Sequence, residues 1–90
     1  MNKSNTLPYV LNFASAMEYK LEVNRHKGDR EGWLKDSLGL LVTRAQEELD
    51  EVKDAIVNSA SSVDVLYECA DVANMVMMVA DKYEQVKGQE

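Results

Sequence analysis

Along this 90-residue chain the apolar positions recur at intervals of three and four, and rarely at two. That is the period of one face of an α-helix, not of a half-buried strand. Val10, Ala14, Met17 and Leu21 form a first stripe and predict a helix over about residues 7–25. Thr6 is placed to cap it, with Pro8 in the first turn, where a missing backbone N–H costs little. From Trp33 a second stripe runs through Leu34, Leu38, Leu41, Ala45, Leu49, Val52 and Ile56, predicting a long helix over 33–57. It stops at "NSASS", which is rich in capping side chains and poor in helix formers. Val65, Val72, Met75, Val76, Val79 and Tyr83 then predict a third helix over 62–86.

Residues 24–33 hold two glycines and five charged side chains, which suits an exposed loop, and Trp33 is their one large apolar group. With one proline and four glycines in all, breakers are few and the chain reads as all-α. Ninety residues fall below the usual domain size of roughly 100 to 200, so we expect one domain over 1–90 with a core small for its surface. Three helices, one of them long, do not bury three such stripes well by themselves. The natural architecture is a helical bundle completed by dimerisation, as a homodimer or a homotetramer built as a dimer of dimers.

The formal charge is −6 and no Lys/Arg-rich run occurs, which argues against a polynucleotide partner. Cys69 is the single cysteine, so no intramolecular disulfide is possible and a reducing cytoplasm is the expected compartment. The start "MNKSNTLPYV" lacks the apolar core of a signal peptide. No stretch reaches the ~18 to 20 uninterrupted apolar residues of a membrane span, so no membrane partner is expected.

One segment, "RAQEELDEVKDA", changes the picture by carrying five acids between Glu47 and Asp54. At about 100° per residue, with Ala45 at the centre of the apolar stripe, Glu48 and Glu51 fall about 60° and 120° to one side. Asp50 and Asp54 point away. On the third helix, centred on Val72, Glu68 lies about 40° and Asp71 about 100° from the stripe, with Asp64 and Lys82 on the same edge. Carboxylates three apart on a helix repel one another, and four converging ones suit a hard divalent cation held by oxygen, magnesium or manganese rather than zinc. A ferritin-like di-iron site would need Glu-x-x-His on two helices, and His26 is the only histidine. The alternative is plain: acids at this spacing are also common on solvated helix faces.

"EELDE" (47–51), followed after a short connection by "ECAD" (68–71), resembles the EExxE and ExxD motifs of MazG-like nucleoside triphosphate pyrophosphohydrolases. The likeness covers most of the chain, including "ECADVANMVMMVADK" as the family's third-helix segment. It implies a bundle of the all-α NTP pyrophosphatase type that cleaves a (deoxy)nucleoside triphosphate between the α and β phosphates. By that resemblance Glu48, Glu51, Glu68 and Asp71 would coordinate Mg²⁺, with Mn²⁺ a substitute. Glu47 would be an outer-shell or base candidate, giving Glu47, Glu48 and Glu51 the catalytic roles.

For the rest of the substrate, Lys27, Arg30 and Trp33 could contact phosphate or stack on a base, as could His26. Lys82 could reach phosphate, and Asn74, one turn beyond Asp71, could donate to base or ribose. Each has a structural alternative: solvated loop charges for Lys27 and Arg30, a hydrophobic staple for Trp33, a helix-end cation for His26, snorkelling for Lys82 and a helix exterior for Asn74. Met75, Met77 and Met78 suit core filling, or at most pocket lining. A different class of function stays open as well: a non-catalytic acidic oligomerisation module, or a nucleotide-binding sensor.

Overall fold

The computed structural model describes residues 5–89, and no strand occurs among them. The elements are α1 (Pro8–Val23), a 3₁₀ turn (Arg25–Lys27), α2 (Arg30–Trp33), α3 (Leu38–Val57) and α4 (Ser62–Gly88). The all-helical expectation holds, while the partition of the chain differs from it in two places.

The helix expected over 33–57 is two pieces. Asp29 accepts a hydrogen bond from the Arg30 N–H at 2.8 Å and starts a single turn that ends at Trp33. Helix resumes at Leu38, where the Ser37 hydroxyl accepts from the Leu40 N–H at 3.1 Å. The apolar spacing through Leu34, Leu38 and Leu41 bridges this break because a side-chain stripe does not report backbone pairing, whereas a serine cap does. The supposed loop before it is itself partly helical, and Gly28, at φ 131°, makes the reversal between the 3₁₀ turn and α2 in a region open mainly to glycine. At the other difference, α1 ends at Val23, and Leu7 rather than Thr6 occupies its capping position.

The α3–α4 turn falls where "NSASS" predicts it. Ala60 N–H reaches Ala55 O at 2.9 Å and Ser59 N–H reaches Ile56 O at 3.0 Å, closing α3 with a Schellman pattern. Ser59 takes the left-handed position, φ 56°, where glycine is usual. Ser61 then caps α4 by accepting from the Asp64 N–H at 3.1 Å. So short a connection makes α3 and α4 an antiparallel hairpin.

α4 is packed on two sides, against α3 and against α1. On the α3 side, Val42, Ala45 and Leu49 share an apolar groove with Val72, Val76 and Val79. On the α1 side, the Tyr19 and Tyr67 rings lie 5.0 Å apart and the Asn74 amide donates to the Met17 carbonyl at 3.0 Å.

Burial within one chain is thin. Among the described residues the buried set is Ala16, Leu41, Val52, Ala70 and Asn74, and Leu41 is the one large side chain fully enclosed. Leu49, Ile56, Val76 and Tyr83, all on the predicted stripes, remain 52–60 % exposed. The accessible surface of 6481 Å² exceeds by about 1,200 Å² what a compact 10.1 kDa monomer exposes. The radius of gyration, 14.6 Å, likewise exceeds the roughly 12 Å of a compact chain this long.

Candidate metal centre

Glu48 and Glu51 are one turn apart on α3, and Glu68 and Asp71 one turn apart on α4. The hairpin brings the two pairs together: carboxylate oxygens of Glu48, Glu68 and Asp71 all lie within 4.8 Å of one another. Glu51 stands close enough for its charge to act on both Glu48 and Glu68.

The cluster is electrostatically strained. Partial burial, then the charges of Glu51, Asp71 and Glu68, hold the Glu48 carboxyl above the ordinary glutamate value. Partial burial, then the charges of Glu51 and Asp71, raise Glu68 in the same way. At both residues Lys20 pulls in the opposite direction. Its ammonium, reaching across from α1, sits 3.5 Å from Asp71 Oδ2. One lysine against four carboxylates leaves an excess of negative charge that a hard divalent cation fits. The donor set is all oxygen, with no histidine or cysteine in it.

Beside the acids lies a cleft of about 750 Å³ whose wall combines Glu48, Glu51 and Asp71 with the cations Lys20, Lys27 and Arg44. Carboxylate and cation on one wall is an arrangement able to hold both a metal and the polyanion it bridges. Met75 and Met78 line it too, so pocket lining describes these two methionines.

The residues nominated from sequence divide. Glu48, Glu51, Glu68 and Asp71 converge. Glu47 is exposed and outside the cluster. Lys27, Trp33 and Asn74 lie on the cleft wall. Arg30 is not on it; its guanidinium grips Asp81 through Nε and Nη2 at 2.8 and 2.7 Å. Lys82 donates to the Leu34 carbonyl at 2.7 Å and to Gln85 at 3.1 Å, tying the stretch after α2 to α4 rather than snorkelling. His26 is exposed in the 3₁₀ turn. Asn74, a donor candidate with a helix exterior as its structural alternative, is 4 % exposed. Its N–H₂ is committed to Met17, and the group left without a partner is the acceptor Oδ1.

Lys20, Arg44 and Asp81 were not nominated. Arg44 falls about 100° from Ala45, on the edge that carries Glu48 and Glu51, so the wheel that singled out the acids also holds the arginine. Arg44 pairs with Asp36 at 2.8 Å across the α2–α3 break. Asp81 lies about 180° from Val72 and reads as a solvated face unless α4 is known to be packed on both sides.

Fold and site together define a class: an all-helical protein with an acidic, oxygen-only cluster between two antiparallel helices and a cation-bearing cleft beside it. No protein-family model, no curated protein and no solved structure matches this chain.

Proposed function

We propose that this chain is a Mg²⁺-dependent nucleoside triphosphate pyrophosphohydrolase of the MazG-like kind, releasing a (d)NMP and pyrophosphate from a (d)NTP, with a housekeeping role toward surplus or non-canonical nucleotides. The observation that carries it is the meeting of Glu48, Glu51, Glu68 and Asp71, two from each arm of one hairpin, on the border of a cleft that also bears cations.

Those four carboxylates would hold Mg²⁺, or Mn²⁺ in its place. Bound there, the cation would neutralise phosphate charge and make water a better nucleophile at neutral pH. An acidic chain approaches a polyanion through bound cations, and Lys20, Lys27 and Arg44, set beside five carboxylates on the same wall, would add to the charge the metal supplies. Glu47, exposed and outside the cluster, is less well placed than the clustered carboxylates to act on water held there. Trp33 offers a planar face for a base.

The working unit of this proposal is at least a dimer, formed on the apolar α3–α4 groove around Leu49, Val72 and Val76. The ~1,200 Å² of surface in excess of a compact monomer is of the order that one partner gives up in a stable interface, about 800 Å². Among the described residues no helix is long and apolar enough to cross a membrane.

The test is a product assay with purified protein, Mg²⁺ and a panel of NTPs and dNTPs, separated by anion exchange, beside Glu48→Gln. Monophosphate with pyrophosphate, lost in the variant, is the expected result. Absence of any product from a folded protein returns the cluster to an acidic binding module, and tight metal-dependent binding without turnover makes it a sensor.

A further inference from the structure

The 24–37 arm, which supplies Lys27, Gly32 and Trp33 to the cleft wall, is fastened by residues the proposed chemistry does not use. Asp81 on α4 accepts three hydrogen bonds from it: Arg30 Nε at 2.8 Å, Arg30 Nη2 at 2.7 Å and the Trp33 indole Nε1 at 2.8 Å. The next residue, Lys82, donates to the Leu34 carbonyl at 2.7 Å. Two consecutive α4 side chains thus hold α2 from its first residue to the one beyond its last.

α2 is four residues long with none fully buried, Trp33 being half-buried, and a helix of one turn has no stability of its own, so these bonds carry much of its seat. An indole has one N–H donor. With that donor bound to Asp81, the edge of the only aromatic ring on the cleft wall is fixed and its faces are free of hydrogen bonds.

We propose that Asp81 is a positioning residue: it latches the arm through Arg30 and Trp33, and so sets the affinity of the cleft for a planar base linked to phosphate while touching neither. This rests on the nucleotide reading of the cleft. The alternative is an ordinary surface ion pair, whose loss would pass almost unnoticed because such pairs contribute little when solvated. The third bond, from the indole, separates the two cases, because an ion pair alone has no hold on Trp33.

The experiment uses the full chain with Asp81→Ala, Asp81→Asn and Trp33→Phe. Trp33 is the only tryptophan, so its emission and its quenching by acrylamide report on the arm with no substrate present. Asp81→Ala should shift the emission to the red and raise quenching while helicity by circular dichroism stays at the wild-type level. Asp81→Asn, which keeps an acceptor for the indole but no charge for Arg30, should fall between. In turnover, Asp81→Ala should raise KM about tenfold and change kcat less than about twofold, the signature of lost substrate binding. Trp33→Phe, which keeps a ring and removes only the N–H, should raise KM by itself, and adding it to Asp81→Ala should raise KM little further, as expected of coupled residues. Unchanged tryptophan quenching in Asp81→Ala, a fall in kcat at constant KM, or additive effects would each overturn the proposal. Should Asp81→Ala not fold, a wild-type KM in Trp33→Phe overturns it as well. A wild-type protein that turns over no nucleotide counts against the proposed function, and the quenching comparison still decides whether Asp81 positions the arm.

Discussion

Replacing Glu48 by glutamine should stabilise the metal-free protein and destabilise it relative to wild type once Mg²⁺ is added. Glu48 meets the charges of Glu51, Asp71 and Glu68, with Lys20 opposing them. One like-charge pair three residues apart on a helix costs about 0.2–0.5 kcal/mol. Two further carboxylates from α4 add comparable amounts, while Lys20 offsets roughly one of the three and the half-exposed setting screens all of them. The neutral amide also lowers the cost of partial burial. A net gain of about 0.5–1 kcal/mol follows, and in a chain of this size each ~1 kcal/mol moves the melting midpoint by about 4–8 °C.

Adding Mg²⁺ to a hundred times its dissociation constant should stabilise the wild-type protein by about 2.7 kcal/mol. The variant, short of one charged ligand, should gain little at that concentration. Its melting curve should therefore lie above wild type in chelator and below it in Mg²⁺. Thermal denaturation followed by circular dichroism, in EDTA and across a Mg²⁺ titration, measures both orders. A glutamine variant that melts below wild type in EDTA would refute the repulsion, and one that gains as much from Mg²⁺ as wild type would refute the ligand role.

The same strain gives a pH slope. Because Glu48 and Glu68 hold protons above the ordinary 4.5, the folded chain binds more protons than the unfolded one over that interval. Their contribution to stability is then complete below 4.5 and is lost as pH rises through the folded values; denaturant titrations in chelator should show that fall, and Glu48→Gln should flatten it. Ser59→Gly should raise stability by about 0.5–1 kcal/mol, since the left-handed φ of 56° costs a serine roughly 1–2 kcal/mol and glycine's extra chain entropy returns part of it; an unchanged midpoint in urea would contradict this. Val76→Asp, on the exposed groove, should abolish the proposed self-association in sedimentation velocity, as each copy would forfeit about 1.5–3 kcal/mol of valine burial and would have to desolvate a charge. A variant that sediments as wild type would refute this groove as the interface.

What was legible in the sequence was whatever depends on a single helix face. Leu41 and Val52 stand on the stripe and are buried, and the break at "NSASS" is where the chain turns. What escaped depends on α4 having two faces. Ala70 and Asn74 lie about 160° from Val72, where a one-sided helix meets water, yet both are buried because α1 packs there. Asp81 escaped for the same reason. The interruption before Leu38 escaped because leucine spacing runs smoothly across it and only Ser37 marks it. Leu49 and Ile56 show the reverse case: the stripe assigns them inward, and a single chain leaves them 52 % and 60 % exposed, as an uncovered face would.

The convergence of the acids follows from position along the hairpin as much as from the wheel. In an antiparallel pair, residues equally distant from the turn sit at the same level. With the turn centred between Ser59 and Ala60, Glu48 is level with Asp71 and Glu51 with Glu68. The charge of Glu51 acting on Glu68, and that of Asp71 on Glu48, agree with that level. Two acid pairs placed at the edge of their stripes but out of level by one turn would stand about 5.4 Å apart along the axis and share no cation. Placed at the stripe centre, they would be buried and neutral; placed opposite, they would be solvated and apart. Edge position supplies partial burial, and equal distance from the turn supplies the meeting. Both can be counted in "EELDE" and "ECAD", and a solvated acidic face needs neither. Their joint occurrence is therefore what favours the proposed metal site over acids scattered on helices. Under that proposal the mutual repulsion of the four carboxylates would cost stability until a cation is bound.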